Sequence, residues 1–398
     1  MFLRTLLNPF ANPTRTLRMA LLAALLLLAA GALAASCSEE GLTAFKRGDY
    51  QAAMRIWRPL AEQGNACAMF FMGLHYREGR GVAQDDAEAV KWWLQAADLG
   101  EVHAQTNLGF MYLRGYGVPQ DDAKACDWMR RAAEGGSIYA LTNLGRFYSR
   151  GVGVPKDYEK AVRWYYLAAK NGHDEAQFEL AMMYRKGLGV RADYGKSLEW
   201  LRKAAEQGHA GAQNNLGVMY VAGMGVPPDY DEALKWYRLA AAQGLPDAQM
   251  NLGNAYEKGF GVPPDLAEAA KWYRAAAEQG YAEAQVQIGV LYQSGQGVPV
   301  DLAQAVKWYR LAARQGDMVG QVDLGHMYKH GRGIAKDLVE AHFWYALAAS
   351  QVCDDEDTVH AIAVRNRDDL ATTLTASQVA DNERRVREWK PRLRTGSE

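Results

Sequence analysis

An excess of charge of one sign is missing from this chain: 45 Lys and Arg stand against 46 Asp and Glu in 398 residues. Near neutrality argues against non-specific nucleic-acid binding, which needs surplus cations along the phosphates. Cysteine is scarce. Cys37, Cys67, Cys126 and Cys353 fall at no regular spacing, so no disulfide framework is legible. With Cys37 counted in the N-terminal leader, the remaining three are odd in number, and buried free thiols are their expected state. No segment beyond residue 34 is apolar enough to span a membrane as a helix. Phosphate loop, dinucleotide fingerprint and Gly-x-Ser-x-Gly elbow are all absent. His326 and His330 stand four apart, a spacing that chelates zinc, with His342 on the next helix. No acid completes a site, and the expectation is neither catalytic residue, metal nor cofactor.

The one apolar run is N-terminal. Arg4, Arg15 and Arg18 precede residues 19–34, which are rich in Leu and Ala. Sixteen residues are few for a spanning helix and suit a signal-peptide core. Ala32-Leu33-Ala34 meets the small-x-small cleavage rule, so residues 1–36 read as a targeting segment. Ala34-Ala35-Ser36-Cys37 also loosely resembles a bacterial lipoprotein box, although such boxes prefer Leu where Ala34 stands. Cleavage after Ala34 is the favoured reading; a lipid anchor at Cys37, an uncleaved anchor and a true start at Met19 stay open. Each places the rest of the chain across a membrane: periplasmic, secreted or on the outer surface.

What is present is a repeat. Gly-x-x-Tyr-x-x-Gly-x-Gly-Val recurs eight times at a period of 36 residues, from Tyr76 to Tyr328, with lapses only at Ala181 and Ile334. A period of this length signals stacked supersecondary units, each burying its apolar face against its neighbours. Small residues (Ala68 and counterparts), aliphatics (Met72 and counterparts) and the tyrosines are spaced i, i+4, i+8, one stripe of a helix, here helix A. The glycines end it. An aspartate follows in every unit, from Asp85 to Asp337. Each opens a second helical pattern, so these residues read as N-caps of helix B rather than acids or ligands. A tryptophan column from Trp92 to Trp344 lies close to the Ala89 and Ala97 stripe. It reads as one large packed aromatic per unit, for which Trp236→Ala would cost about 3–5 kcal/mol.

Together, Ala-x-x-x-Leu-Gly-x-x-Tyr-x-x-Gly-x-Gly-Val-Pro-x-Asp and Ala-x-x-Trp-Tyr-x-x-Ala-Ala resemble the Sel-one-like repeat family, relatives of the tetratricopeptide repeats, over about residues 41–352. The resemblance implies an all-α, right-handed superhelical solenoid of helix-turn-helix repeats. The reading is then a signal peptide over 1–36, an N-terminal half or degenerate repeat over 37–64, eight repeats over 65–352 and a helical cap over 353–398. Some exported relatives carry a cysteine pair in every unit, which this chain lacks.

In tetratricopeptide-like arrays helix A lines the concave face. Positions half a turn from the core stripe are Phe71, Asn107, Asn143, Glu179, Asn215, Asn251, Gln287 and Asp323. The next column is Leu74, Phe110, Arg146, Met182, Val218, Asn254, Val290 and His326. Amides that donate and accept, beside apolar side chains, suit an extended peptide or a partner helix. The alternative is that the asparagines lock helix to helix. The candidate strip is therefore Phe71, Leu74, Asn107, Phe110, Asn143, Arg146, Met182, Asn215, Val218, Asn251 and Asn254.

The resemblance implies a non-catalytic interaction scaffold of the bacterial cell envelope, with a protein or peptide partner and no nucleic acid. The second class is a β-lactam-binding or β-lactamase-like enzyme, as linked to cysteine-rich exported relatives. The missing cysteine pairs and nucleophile motif argue against it.

Overall fold

The computed structural model describes residues 37–351 and 358–391. The leader, Cys353 and the last basic residues lie outside them. Among the described residues every regular element is a helix. In the first of two compact units, up to residue 212, they run α1 (Glu39–Lys46), α2 (Tyr50–Glu62), α3 (Ala66–Glu78), α4 (Asp86–Asp98), α5 (Val102–Arg114), α6 (Asp122–Glu134), α7 (Ile138–Arg150), α8 (Tyr158–Lys170), α9 (Asp174–Lys186) and α10 (Tyr194–Glu206). The division falls inside α11 (Ala210–Ala222). The second unit continues with α12 (Tyr230–Ala242), α13 (Pro246–Lys258), α14 (Leu266–Glu278), α15 (Ala282–Ser294), α16 (Leu302–Gln315), α17 (Met318–His330) and α18 (Leu338–Ala349). It closes with the cap helices α19 (Thr358–Ala371) and α20 (Ala376–Glu388). Consecutive helices pack as pairs, which makes each unit a stretch of repeat solenoid.

The turn between paired helices follows from three columns of the repeat. Gly79 takes φ 66°, a left-handed cap where a Cβ would be strained. Asp85 accepts from the N–H of Glu88 at 2.9 Å and so caps α4. Its own N–H donates to the carbonyl of Tyr76 at 2.9 Å, tying the end of one helix to the start of the next. The same aspartate-to-tyrosine bond recurs from Asp121 to Asp337.

The tryptophan column sits otherwise than expected. Trp92, Trp128, Trp164, Trp200, Trp236 and Trp272 keep an edge exposed, whereas the following residue is buried in every repeat: Trp93, Met129, Tyr165, Leu201, Tyr237, Tyr273, Tyr309 and Tyr345. The reason is register. Position 93 lies at i+4 from Ala89 and i−4 from Ala97, whereas 92 is one step off that stripe. The leading glycine of the motif makes room for this deeper column. A Cβ on Gly253 would lie 2.5 Å from the Tyr273 ring, inside any real contact, so helix A bears a glycine where helix propensity alone would disfavour one.

The thiols need a correction. Cys37, just before α1, and Cys67, in α3, form a disulfide with Cα atoms 5.6 Å apart. Of the expected free thiols, Cys126 is free and buried, and Cys353 lies outside the described residues. The odd count arose from assigning Cys37 to the leader. The disulfide holds the α1–α2 pair against α3, where Phe45 and Trp57 enclose Phe71.

Candidate functional site

The candidate strip lies on the helix-A faces, and the two units carry separate parts of it. In the first unit its N-terminal end is covered. Phe71 stacks on Trp57 with ring centroids 4.2 Å apart, and Leu74 is also buried. Asn107 and Phe110 on α5 are half-buried, and the Asn107 amide makes no hydrogen bond among the described residues. Asn143 on α7 is buried. Its Nδ2 donates to the Tyr139 carbonyl of its own helix at 2.9 Å, and its Oδ1 is left without a partner. Met182 on α9 is half-buried.

Between α7 and α9 the strip carries charge. Arg146 is buried and pairs with Glu175 at 3.1 Å; His209 Nε2 lies 3.3 Å from the other Glu175 oxygen. Burial works to raise the Glu175 carboxyl, but the His209 hydrogen bond and the charges of His209 and Arg146 hold it down to about 2. Glu179 on the same helix is pushed up, first by burial and then by Glu175. Glu175 is thus held ionised by its partners, whereas at Glu179 burial outweighs the lowering by Arg146, Arg150 and His209.

In the second unit Asn215 and Val218 on α11 are half-buried. Asn251 Nδ2 donates to Asn214 Oδ1 at 2.9 Å, one repeat back. Asn254 Oδ1 and Glu257 Oε2 each lie 2.7 Å from the Tyr273 hydroxyl and share its single proton. His326 and His330 lie with ring centroids 4.4 Å apart, and no group of three or more metal-ligating side chains occurs among the described residues.

A glutamine column, which the sequence motif passed over, links helix to helix. Gln285 Nε2 donates to the Ala277 carbonyl of the preceding helix B at 3.1 Å, and its Oε1 accepts from Gln315 of its own helix B at 2.8 Å. Each such residue joins three helices. Gln177, Gln249 and Gln321 repeat the arrangement. Gln105 does so only in part: Gly135 stands where the second glutamine would be, and Gln105 Oε1 has no partner. The signal available in sequence was a pair of glutamines 30 residues apart, diluted among other polar residues.

The family model described as Sel1 repeat matches residues 23–65, 68–101, 102–137, 138–173, 174–209, 210–245, 246–281, 282–317 and 319–352. Its first match takes in the N-terminal helix pair, making nine repeats. Two solved structures resemble the chain along most of its length. A Sel1 repeat protein from Oxalobacter formigenes is 35% identical over 78% of this chain and 89% of its own, with a TM-score of 0.62. A protective antigen of uropathogenic Escherichia coli strains, with an SLR fold, is 31% identical over 88% of this chain and 85% of its own, with a TM-score of 0.53. No curated protein matches the chain.

Proposed function

Because the chain belongs to the Sel1 repeat family, we propose that it is an exported, non-catalytic scaffold of the bacterial cell envelope that binds an extended segment of a partner protein along its helix-A faces. The observation that carries this reading is the unequal satisfaction of the polar groups. The glutamine column ties most repeats together, and although Asn251 bonds one repeat back, the Asn107 amide takes no part in such bonding among the described residues. Asn107 keeps both donor and acceptor unused beside the half-buried Phe110. An amide of this kind grips a peptide backbone whatever its sequence, and an adjacent ring supplies apolar contact.

The Cys37–Cys67 bond supports export, since disulfides persist in oxidising compartments. It also uses the Cys37 thiol, which favours cleavage of the leader over a lipid anchor at that residue. No helix among the described residues is long and apolar enough to cross a membrane.

The test is capture from envelope extract by the mature chain and by a variant combining Asn107→Ala, Phe110→Ala and Met182→Ala, with thermal melting of both. Capture lost with melting retained supports docking on this face. Capture retained per folded molecule rejects it.

A further inference from the structure

The second unit carries a patch whose chemistry is more specific than its neighbours'. On α15, Glu283, Gln287 and Val290 share one helix face; on α17, Val319, Asp323 and His326 do. The two helices touch as helices A of adjacent repeats. Val290 is 38% and Val319 40% exposed. Around them the side chains of Glu283, Gln287 and Asp323 form no hydrogen bond or ion pair with any described residue.

That is unlike the helix-B surface of the same unit. There Glu232 pairs with Lys235 at 2.8 Å, Glu268 with Lys271 at 2.6 Å, and Glu340 with Arg385 at 2.7 Å. Carboxylates one repeat earlier on the A side are also served, Asp247 by the Tyr281 hydroxyl and Glu257 by that of Tyr273. Asp323 is half-buried, and burial, reinforced by Asp317, raises its carboxyl to about 6. Lys258 and His330 are exposed at the C-terminal ends of their helices. The His330 ring packs 4.4 Å from that of His326, about 10 Å along the axis from the level of Asp323 at 1.5 Å per residue, and the charges of His330, Arg332 and Lys329 act on His326 at that end of the patch. Lys329 is engaged by Asn366.

We propose that this patch docks an extended partner segment presenting Lys or Arg beside apolar side chains. Successive apolar residues of the segment cover Val319 and Val290, which stand about 10 Å apart along the helix axis at 1.5 Å per residue, the cation sits between Glu283 and Asp323, and the Gln287 amide meets the segment's backbone. Charge complementarity selects this occupant. Asp323, half-buried without an ion-pair partner among the described residues, gains most from a segment that supplies one, and the exposed Glu283 adds charge at the rim. The inference rests on the docking reading above and adds the partner's charge.

The test uses the full mature chain and three fluorescent peptides: one of Val, Arg and Ser, one with Glu in place of each Arg, and one with Ser there. The Arg peptide is expected to bind, with hydrogen-exchange protection at residues 283–290 and 319–326. Asp323→Asn and Glu283→Gln are each expected to weaken binding about tenfold, as loss of a charge-assisted contact does. Asp323→Asn removes a strained charge, so a folding defect does not explain that loss; melting curves check this. Binding that is unchanged in both variants overturns the proposal. So does equal binding of the Glu or Ser peptide at this patch, which leaves the docking reading standing and only the charge wrong. Absence of protection on any helix-A face with all three peptides takes both down. A chain ending at residue 391 is the last arm: Arg-peptide binding seen only there makes the chain's own basic tail the occupant and overturns the partner assignment.

Discussion

Single positions explain why the motif reads as it does. The leading glycine is a packing residue: helix A gives up a Cβ so that the residue after each tryptophan can lie against it. Gly253→Ala should therefore cost about 1–3 kcal/mol by overpacking. Combining it with Tyr273→Leu should recover much of that, since the repeat with Ala181 in the glycine position has Leu201 in the deep column. A double-mutant cycle by chemical denaturation checks the coupling. Asp323 gives a pH-dependent counterpart. Its carboxyl stands at about 6 when folded against an ordinary 3.8. A raised carboxyl means the ionised form is disfavoured in the folded state. The penalty is absent below the ordinary value, grows as pH rises from about 4 to 6, and is complete above that. Asp323→Asn should raise stability at pH 7 by roughly 1–3 kcal/mol and leave it nearly unchanged at pH 4, read from melting at the two pH values.

At the level of elements, the helices and their turns were legible because each is written by residues that act locally. Glycine fixes the left-handed cap, aspartate the next N-cap, and the i, i+4, i+8 stripe the buried face. Which aromatic goes deepest was not, because positions 92 and 93 are both large in the first repeat and differ only by register against Ala89 and Ala97. The glutamine lock was illegible for another reason: its partners lie 30 residues apart on different helices. Gln285→Ala should remove two interhelical hydrogen bonds, leaving the Ala277 carbonyl with the Gly280 N–H and the Gln315 amide with the Leu311 carbonyl, and cost about 1–2 kcal/mol, whereas Asn107→Ala should hardly move the melting temperature. The N-terminal pair depends on its disulfide. The Cys37–Cys67 loop spans 30 residues, for which chain-entropy arguments give about 3–4 kcal/mol. Reduction should make α1 and α2 the first helices to exchange their amide hydrogens, with the later repeats little affected. Uniform loss of protection along the chain would contradict a local staple.

For the molecule as a whole, the repeat array and its family follow from columns that agree through the chain. The partner does not, because a docking surface is defined by what is left unsatisfied, and that appears only once neighbouring helices are in place. Asn143 and Asn107 share a column; one spends its amide N–H on its own helix and the other keeps it free, which sequence alone does not separate. Export is tested apart from docking. A fusion of residues 1–40 to a reporter active only outside the cytoplasm should give signal, and Cys37→Ser should leave the chain in the soluble periplasmic fraction. Loss of membrane attachment on that substitution would instead identify a lipid anchor. The central claim is that partners meet the helix-A faces, and position-specific photo-crosslinking in the living cell addresses it most directly. A crosslinking residue at Asn107 in the first unit, and separately one at Val218 or Val290 in the second, should trap a partner, and one at the exposed helix-B positions Leu239 or Leu311 should trap none. Trapping confined to Leu239 and Leu311 would contradict the account.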